Sequence, residues 1–382
     1  MPAARPQGVT SPLTGIIAER IRSHGPMTFA EYMDACLYHP EFGYYTKPEQ
    51  QQRRDYFTSV DAGPLFGKLL ARQFHEMWTV LGRPAEFLLA EAGAGSGALA
   101  AQILDFVAHE FLQFYAALCY VAVERSARRR ALVAQLQSLK GHLEAGKCEI
   151  ASEIPAEIGC GCIFSNELFD AMPVHRVVCE GTELQELYVT FGPNGLGECT
   201  GPLSSGALRE YFSDQAITLQ DGQQAEANLQ ACQWIEDAGR KLQRGFVLTI
   251  DYGHEASELY DQRHMRGTLL AYQRHRAGED FYRAPGEQDL TAHVNFTALD
   301  HWGKRAGLMR TGLTFQSAFL MALARHCDFA ELQAEGMSES ERTRARLLFK
   351  TLIYPEGMGE TFQVFVQRKN VDAPRLTGLE PL

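Results

Sequence analysis

From about residue 86 onward, short continuous apolar runs alternate with longer stretches in which apolar residues recur every three or four positions. Residues 87–90 form an apolar run of the kind found in a strand that is buried on both faces. Alternation of such strands with amphipathic helices is typical of a parallel sheet with crossover helices. We therefore predict a doubly wound α/β fold. The apolar positions at helical spacing after the first strand are Leu99, Ile103, Leu104 and Val107.

The same criteria predict further elements along the chain. Predicted strands cover residues 119–124, 148–151, 161–165, 246–251, 309–313 and 362–366, and a predicted β-hairpin covers 174–179 and 184–191. Predicted helices cover residues 127–139, 225–242, 289–306, 317–324 and 339–348. Turn signals at residues 193–195 and 201–202 follow the hairpin.

The first 85 residues have a different pattern, with helical periodicity at 15–23, 28–37 and 66–80. A chain of 382 residues is also too long for one compact core. We therefore predict a helical N-terminal cap over residues 1–85 and a sheet domain over 86–382. Two long stretches interrupt the strand and helix rhythm after the fourth and fifth strands, and we expect insertions there, at about 174–224 and 252–288.

Composition and charge narrow the class of protein. The formal net charge of −11 argues against nucleic acid as a partner, because an acidic surface repels phosphates. The nine cysteines are scattered without a CxxC pair, which favours reduced thiols in a cytoplasmic protein and gives no reason to expect a bound metal. No apolar run approaches the roughly 20 residues of a membrane span, so we expect no membrane insertion. Oligomeric state is left open, with a homodimer as one option.

A glycine-rich turn, Gly93-Ala94-Gly95-Ser96-Gly97, joins the first predicted strand to the following helix. Such a turn lets backbone N–H groups approach a ligand, and it fits both an S-adenosylmethionine (SAM) loop and a loose dinucleotide fingerprint. Glu91 precedes the loop and favours SAM, because a carboxylate attracts the cationic cofactor and repels a pyrophosphate. Glu124 ends the next strand, where a carboxylate accepts ribose hydroxyls. The plainer interpretation is that Glu91 and Glu124 are solvated strand ends.

Two further loops follow predicted strands at the same edge of the sheet. Ser152 and Glu153 end the third strand, where the loop meets the adenine ring in folds of this kind, although a plain turn is equally expected. The segment 165–173 follows the fourth strand and carries Asn166, Glu167 and Asp170. Glu167 and Asp170 are three residues apart, so on one helical turn they would face the same way.

The chemistry of methyl transfer gives these polar residues a candidate role. Two carboxylates bind a guanidinium in fork geometry and localise its charge, whereas an amide with apolar walls suits an amide or amine acceptor better. The alternative is that the acids only complement the dipole at a helix N-terminus. Asp251, His254 and His293 are secondary candidates, for which structural roles are the more frequent explanation.

A combination of short segments along the chain carries a recognisable signature: residues 25–33, 38–45, 55–59, 65–67, 91–97, 166–173, 250–254, 285–296 and 358–359. Together they resemble the MidA-like family of SAM-dependent methyltransferases, relatives of the mitochondrial arginine methyltransferases that assist assembly of respiratory complex I. The chain departs from the family pattern at Ala94, where a proline is usual, at Ala127, also usually proline, and at Asn295, where an aspartate is usual.

The resemblance implies a Rossmann-like class I methyltransferase fold, SAM as methyl donor and protein arginine as acceptor. It implies that the glycines of the loop and the two acids beside it contact SAM, that Thr58 reaches the cofactor, and that Glu167 and Asp170 face the acceptor. The leading hypothesis is therefore a protein arginine methyltransferase acting on a subunit of respiratory complex I. The alternatives are a small-molecule methyltransferase and a non-catalytic SAM-binding assembly chaperone, and an NAD-dependent oxidoreductase is disfavoured.

Overall fold

The computed structural model describes residues 11–47, 60, 63–273, 276–332, 338–354 and 358–381, and the statements below concern these residues. The helices are α1 (Pro12–His24), α2 (Phe29–Tyr38), α3 (Pro64–Val80), α4 (Ala98–Glu110), α5 (Leu112–Ala117), α6 (Ala127–Val133), α7 (Gln137–Glu144), α8 (Gly206–Ser213), α9 (Leu229–Lys241), α10 (Ala256–Leu259), α11 (Phe296–Arg305), α12 (Gln316–His326) and α13 (Glu339–Ile353).

The strands belong to one large sheet and two smaller sheets. They are β1 (Met27–Thr28), β2 (Phe87–Ala92), β3 (Leu118–Val123), β4 (Cys148–Ala151), β5 (Gly161–Asn166), β6 (His175–Glu180), β7 (Glu183–Gly192), β8 (Gly195–Gly201), β9 (Gln224–Ala227), β10 (Gly245–His254), β11 (Leu270–Gln273), β12 (Arg276–Gly278), β13 (Asp289–Thr291), β14 (Val294–Asn295), β15 (Met309–Phe315) and β16 (Phe362–Lys369).

The large sheet has the strand order β4-β3-β2-β5-β10-β16-β15. Neighbouring strands from β4 to β10 are parallel, whereas β16 runs antiparallel to both β10 and β15. The strand order reverses beside β2, which is the switch point where ligands bind in open α/β sheets. The predicted doubly wound fold is confirmed.

The chain divides into two compact units. The unit that carries the large sheet, here called the sheet unit, takes its residues from Phe57–Leu168, Trp234–Tyr252 and Trp302–Leu382. The other, here called the accessory unit, takes its residues from Met1–Tyr56, Phe169–Gln233 and Gly253–His301. This division differs from the boundary expected at residue 85, because α3 belongs to the sheet unit. The first two helices instead form one unit with the two segments predicted as insertions.

Each unit has its own hydrophobic core. In the sheet unit, α3 packs on the sheet, and the rings of Phe74 and Phe164 lie 4.8 Å apart between their centroids. In the accessory unit, α2 contributes Phe29 and Tyr32, which are fully buried, and Tyr32 donates a hydrogen bond to the backbone oxygen of Phe281 at 2.7 Å. Burial of one such aromatic side chain stabilises a fold by about 1.5–3 kcal/mol.

The accessory unit contains the two smaller sheets. One has the order β1-β7-β6-β9, with β8 paired to β7, and includes the predicted β-hairpin as β6 and β7. The other has the order β12-β11-β13 and lies in the segment predicted as a long polar insertion. The turn signal at 193–195 falls between β7 and β8, and the signal at 201–202 follows β8. The sequence analysis named no element between residues 195 and 224, where β8 and α8 form, and Ser205 caps α8 by accepting the N–H of Ala207.

Three observed helices differ from the predicted ones in where they begin or in whether they continue unbroken. The helix expected over residues 225–242 begins after Asn228, whose side chain accepts the N–H of Ala231, while β9 pairs with β6. The helix expected over 289–306 begins after Asn295, whose side chain accepts the N–H of Ala298. Asparagine is a preferred N-cap residue. The residues just before each asparagine pair in a strand, so the helix begins only after it. The helix expected over 127–139 is interrupted at 134–136, where Leu136 has extended backbone.

Among the described residues, no helix is both long enough and apolar enough to cross a bilayer. Nor do their histidine, cysteine and acidic side chains form any group of three placed to hold a metal ion.

Candidate functional site

The carboxyl ends of four neighbouring strands bring the candidate residues of the sheet unit to one edge. Ala92 at the end of β2 is in register with Val123 of β3 on one side and with Ser165 of β5 on the other. Asn166, the last residue of β5, is in register with Ile250 of β10. The residues that follow these positions therefore share the sheet edge where ligands bind in open α/β folds.

The glycine loop turns sharply at this edge. The N–H groups of Gly93 and Ala94 both donate to the backbone oxygen of Val123 at 2.9 Å. Gly95 has a φ of +54°, which only glycine adopts without strain. A Cβ added to Gly95 would meet no atom closer than the Gly93 oxygen at 3.8 Å. The loop therefore leaves open space in front of Gly95, which a side chain there would fill.

Glu124 is fixed against the glycine loop. Its Oε2 accepts the N–H of Gly95 at 3.2 Å, and its Oε1 accepts the N–H of Ser126 at 2.7 Å. Arg129 lies 3.9 Å from the same carboxylate. Glu124 itself is 8% exposed. These contacts hold an acidic group at the end of β3, with its position set by the loop itself.

Glu91 is buried beside the loop. Its residue is 4% exposed, and the hydroxyl of Tyr120 donates to its Oε2 at 2.6 Å. Burial raises the pKa of the Glu91 carboxyl to about 8, the charge of Glu124 adds to this, and the Tyr120 hydrogen bond opposes it. Near neutral pH, this carboxyl therefore holds a proton in much of the population unless a cation lies nearby.

The loop after β5 depends on β10. The N–H of Glu167 donates to the backbone oxygen of Ile250 at 2.9 Å, and the N–H of Leu168 donates to Oδ2 of Asp251 at 3.1 Å. Asp251 is fully buried and thus shapes this loop. The amide of Asn166 donates to Oε1 of Glu167 at 3.0 Å, so these two side chains lie together.

Glu167 has a φ of +53°, a left-handed conformation that is uncommon for a residue with a side chain. Residues 167–173 form bends and turns, so the expectation that Glu167 and Asp170 share one helical turn is wrong. The hydrogen bonds to β10 impose this backbone. Backbone strain of this kind persists only where the surrounding structure holds it in place, and it clusters at functional sites.

Replacement of Glu167 by glycine tests this strain. We expect Glu167→Gly to raise the free energy of unfolding by about 1 kcal/mol, because glycine adopts a positive φ without a steric penalty. Chemical denaturation measures the change. Ala216→Gly is a matched control, since Ala216 also has a positive φ of 55°. It lies in a different part of the sequence from the loop after β5. A destabilised Glu167→Gly protein, beside a stabilised Ala216→Gly protein, would contradict the assignment of strain to Glu167.

The remaining predicted site residues lie in different places. Ser152 and Glu153 are exposed in a bend directly after β4, at the same edge of the sheet unit. Asp170 belongs to the accessory unit and is buried there. Burial raises the pKa of Tyr272, and the charge of Asp170 adds to this shift. Thr58 lies outside the described residues. The sheet unit therefore brings together Glu91, the glycine loop, Glu124, Asn166 and Glu167.

Sequence reasoning missed the residues that support this edge. Tyr120, which binds Glu91, and Arg129, which lies beside Glu124, are ordinary residues of a strand and a helix in the sequence. Asp251 had been singled out, but its carboxylate accepts the N–H groups of Leu168 and Tyr252. Asn295, the departure from the family pattern, is buried and donates to Tyr211, Gln215 and Tyr260 in a structural network.

The fold and the glycine loop with its acidic neighbours define a class I methyltransferase, and comparison with known proteins agrees. The model of a family of S-adenosyl-L-methionine-dependent methyltransferases matches residues 69–314, so this chain belongs to that family. The chain is 27% identical to the mitochondrial protein arginine methyltransferase NDUFAF7 of Rattus norvegicus, over 93% of this chain and 84% of that protein. Identity to the Homo sapiens protein of that name is also 27%, with coverage of 95% and 84%.

A solved structure extends the comparison to the cofactor. A Burkholderia thailandensis protein, crystallised with S-adenosyl-homocysteine, superposes with a TM-score of 0.84 at 28% identity. The match covers 96% of this chain and 94% of that protein. The chain is therefore a SAM-dependent methyltransferase, as predicted, and SAM is its cofactor.

The comparisons correct one expectation. The scattered cysteines had favoured a cytoplasmic protein, but the curated relatives in rat, mouse, human and fly are all named mitochondrial. The cytoplasmic prediction is contradicted by these relatives. Reduced thiols are typical of more than one compartment, so cysteine pattern alone was too weak a signal.

Proposed function

We propose that this protein transfers the methyl group of SAM to an arginine side chain of a protein substrate. The observation that carries the proposal is similarity over more than nine-tenths of the chain to proteins named protein arginine methyltransferase. The acidic character of the sheet edge supports it, because a guanidinium is protonated at neutral pH and is recognised by carboxylates. A subunit of respiratory complex I is the acceptor to test first, as the family resemblance implies.

The residues at the sheet edge fit SAM. Open space in front of Gly95 allows a ligand to approach its backbone. Gly93 and Gly97 are proposed as further contacts of the same loop. Glu124 is proposed to accept ribose hydroxyls, and Glu91 is proposed to balance the positive charge of the amino acid end. Ser152 and Glu153 are proposed for the adenine side, and Thr58 as a further contact.

The acceptor side of the sheet unit is assigned to Asn166 and Glu167. SAM, when bound, supplies an electrophilic methyl group on a sulfonium. Glu167 binds the guanidinium of the acceptor and localises its positive charge on the nitrogens that do not react. The amide of Asn166 holds the Glu167 carboxylate in place. A carboxylate at this point also accepts the proton that the methylated nitrogen loses.

Cofactor affinity should depend on pH through Glu91. Its pKa is raised from 4.5 to about 8 in the absence of ligand, so the protonated form stabilises the folded protein and this contribution fades as pH rises through that window. Cationic SAM favours the ionised form, so we expect SAM affinity to rise between about pH 5 and 8, by up to about tenfold per unit. Calorimetry in buffers of different ionisation enthalpy measures the proton that binding releases.

Two comparisons control this measurement. S-adenosyl-homocysteine keeps the ammonium of the amino acid end, which is the charge assigned to Glu91, so its affinity should show a similar pH dependence. Glu91→Gln should remove the dependence for both ligands, because glutamine does not titrate. An equally steep dependence in Glu91→Gln would show that another group takes up the proton.

The acceptor is tested with labelled SAM. The purified protein, labelled SAM and isolated respiratory complex I subunits are incubated, and the products are digested and analysed by mass spectrometry. Methylarginine in a subunit, absent with Glu167→Gln, supports the proposal. Label on a small molecule or on another type of side chain contradicts it. Unlabelled products, with complex assembly intact in Glu167→Gln cells, favour the non-catalytic chaperone.

A further inference from the structure

Glu91 is flanked by side chains of the two strands that adjoin β2. It is in register with Ala122 of β3 on one side and with Phe164 of β5 on the other. Because side chains alternate between the two faces of a sheet, Tyr120, two positions before Ala122, projects from the same face as Glu91. The rings of Tyr120 and Phe164 meet edge to face, with their centroids 6.3 Å apart. The fold therefore sets an acidic side chain between two aromatic ones.

One hydrogen bond joins the Glu91 carboxyl to these rings. The hydroxyl of Tyr120 donates to Oε2 of Glu91 at 2.6 Å, and both residues are buried. This length falls in the range of about 2.5–2.7 Å for a hydroxyl that donates to an ionised carboxylate, and such bonds are roughly twice as strong as neutral ones. Among the described residues, no other side chain or backbone group donates to this carboxyl.

The other titratable groups near Glu91 supply no positive charge to it. Glu124 has the same sign of charge, which adds to the effect of burial in raising the pKa of Glu91, and its own carboxylate has Arg129 at 3.9 Å. Burial, with the charge of Glu91, raises the pKa of Cys148 on β4 to about 12, so this thiol stays neutral. The same two causes hold the pKa of Tyr120 well above its ordinary value, so its hydroxyl keeps its proton. Within the described part of the chain, the Tyr120 hydroxyl is thus the group that favours the ionised form of Glu91.

We propose that Tyr120 is a positioning residue of the cofactor site, which binds the ionised Glu91 carboxylate and keeps its charge available to the ammonium of SAM. This inference rests on the proposed contact between Glu91 and the amino acid end of SAM. When SAM binds, the proton of the neutral Glu91 carboxyl passes to solvent and the carboxylate balances the ammonium. Without the tyrosine hydroxyl, the ionised form is less stable, so protonated Glu91 persists to higher pH and competes with the cofactor.

Tyr120→Phe tests the proposal, because it removes the hydroxyl and keeps the ring beside Phe164. Calorimetric titration measures the dissociation constant of SAM for both proteins between about pH 6 and 9. The ammonium of SAM titrates near the upper end of this range, with a reference pKa of about 7.7–8.0, but its effect cancels in the ratio of the two constants. We expect the variant to bind about tenfold more weakly at pH 6 and only about twofold more weakly at pH 9, as for an upward pKa shift of about one unit.

The shape of this profile separates positioning from packing. A loss of affinity that is equal at every pH would assign Tyr120 to packing alone and would overturn the proposal. Tyr115→Phe is the matched control, since its hydroxyl is hydrogen-bonded to Nδ1 of His142 at 2.7 Å in the same unit. That variant should leave the profile unchanged. The affinity for 5′-methylthioadenosine, which lacks the amino acid end, should be the same with and without the Tyr120 hydroxyl.

Glu91→Gln distinguishes failure of this inference from failure of the Glu91 contact. If Glu91 does not contact SAM, both Glu91→Gln and Tyr120→Phe leave the affinity unchanged at every pH, and both proposals fall. If only Glu91→Gln removes the dependence on pH, the Glu91 contact stands and the role of Tyr120 is refuted. In the Glu91→Gln background, Tyr120→Phe should have no effect that varies with pH.

A second substitution covers a folding defect in Tyr120→Phe. Replacement of Tyr120 by 3-fluorotyrosine keeps the hydroxyl and the ring and makes the hydroxyl a stronger donor. We expect the rise of SAM affinity with pH to move to lower pH in this protein, opposite to its movement in Tyr120→Phe. A profile that stays in place or moves to higher pH would contradict the proposal.

Discussion

Gly95→Arg should lose at least about a hundredfold in SAM affinity while the protein remains folded. Each factor of ten corresponds to about 1.4 kcal/mol of binding free energy, so the loss amounts to about 3 kcal/mol. Nothing in the protein obstructs a side chain at Gly95, since the nearest atom to an added Cβ is 3.8 Å away. The arginine therefore extends into the space proposed for the ligand, and its charge competes for the Glu124 carboxylate that binds the Gly95 N–H.

Gly146→Arg separates ligand exclusion from backbone strain. Gly146 has a φ of +66°, is exposed in the turn before β4 and would meet no atom within 4 Å. Arginine at either position costs about 1–2 kcal/mol of stability through the left-handed backbone. Calorimetric titration should show that binding of SAM and S-adenosyl-homocysteine is lost in Gly95→Arg and kept in Gly146→Arg. NAD is titrated alongside for comparison. Equal losses in both variants, or intact SAM binding in Gly95→Arg, would place the cofactor elsewhere.

The large sheet could be predicted from sequence because its central strands are buried on both faces. Such strands are continuous apolar runs, and their pattern does not depend on any partner strand. Strands β13 and β14 were missed for the opposite reason. Each has two or three residues, and β13 exists through pairing with β11, whose residue Leu270 faces Thr291. Local periodicity carries no trace of such a contact, so residues 289–306 were predicted as one helix.

The candidate site shows the same limit on a smaller scale. The glycine loop lies between adjacent elements, so residues next to one another in sequence define it. Glu167 lies at the sheet edge, where the sequence predicts it. Its left-handed backbone precedes Leu168, whose N–H donates to Asp251, a residue 83 positions further along the chain. The three-residue spacing would place Glu167 and Asp170 on one face only if the segment were helical, and the contact with a distant strand leaves no trace in the local pattern. The sequence therefore predicts which residues lie at the sheet edge, but it does not predict where their side chains point.

Glu167→Gln should abolish methyl transfer while it leaves SAM affinity nearly unchanged. Glutamine has the same size as glutamate and keeps an Oε1 that accepts the Asn166 amide, so the loop should keep its shape. The lost charge is the one proposed to bind the guanidinium and to accept its proton. Loss of such a group typically costs 10²–10⁴ in rate, and we expect kcat to fall by about that factor.

The matched control is Glu144→Gln on α7, where the carboxylate is 70% exposed and lies 3.9 Å from Lys140. That substitution should change neither kcat nor SAM affinity, because exposed ion pairs of this kind contribute little. Measured side by side, the two variants separate a specific loss of charge at the sheet edge from a general change in net charge. Retained turnover in Glu167→Gln would remove Glu167 from the acceptor site. Equal losses of turnover and SAM affinity would instead assign Glu167 to cofactor binding, since a group that acts only on the acceptor leaves the binding of SAM alone unaffected.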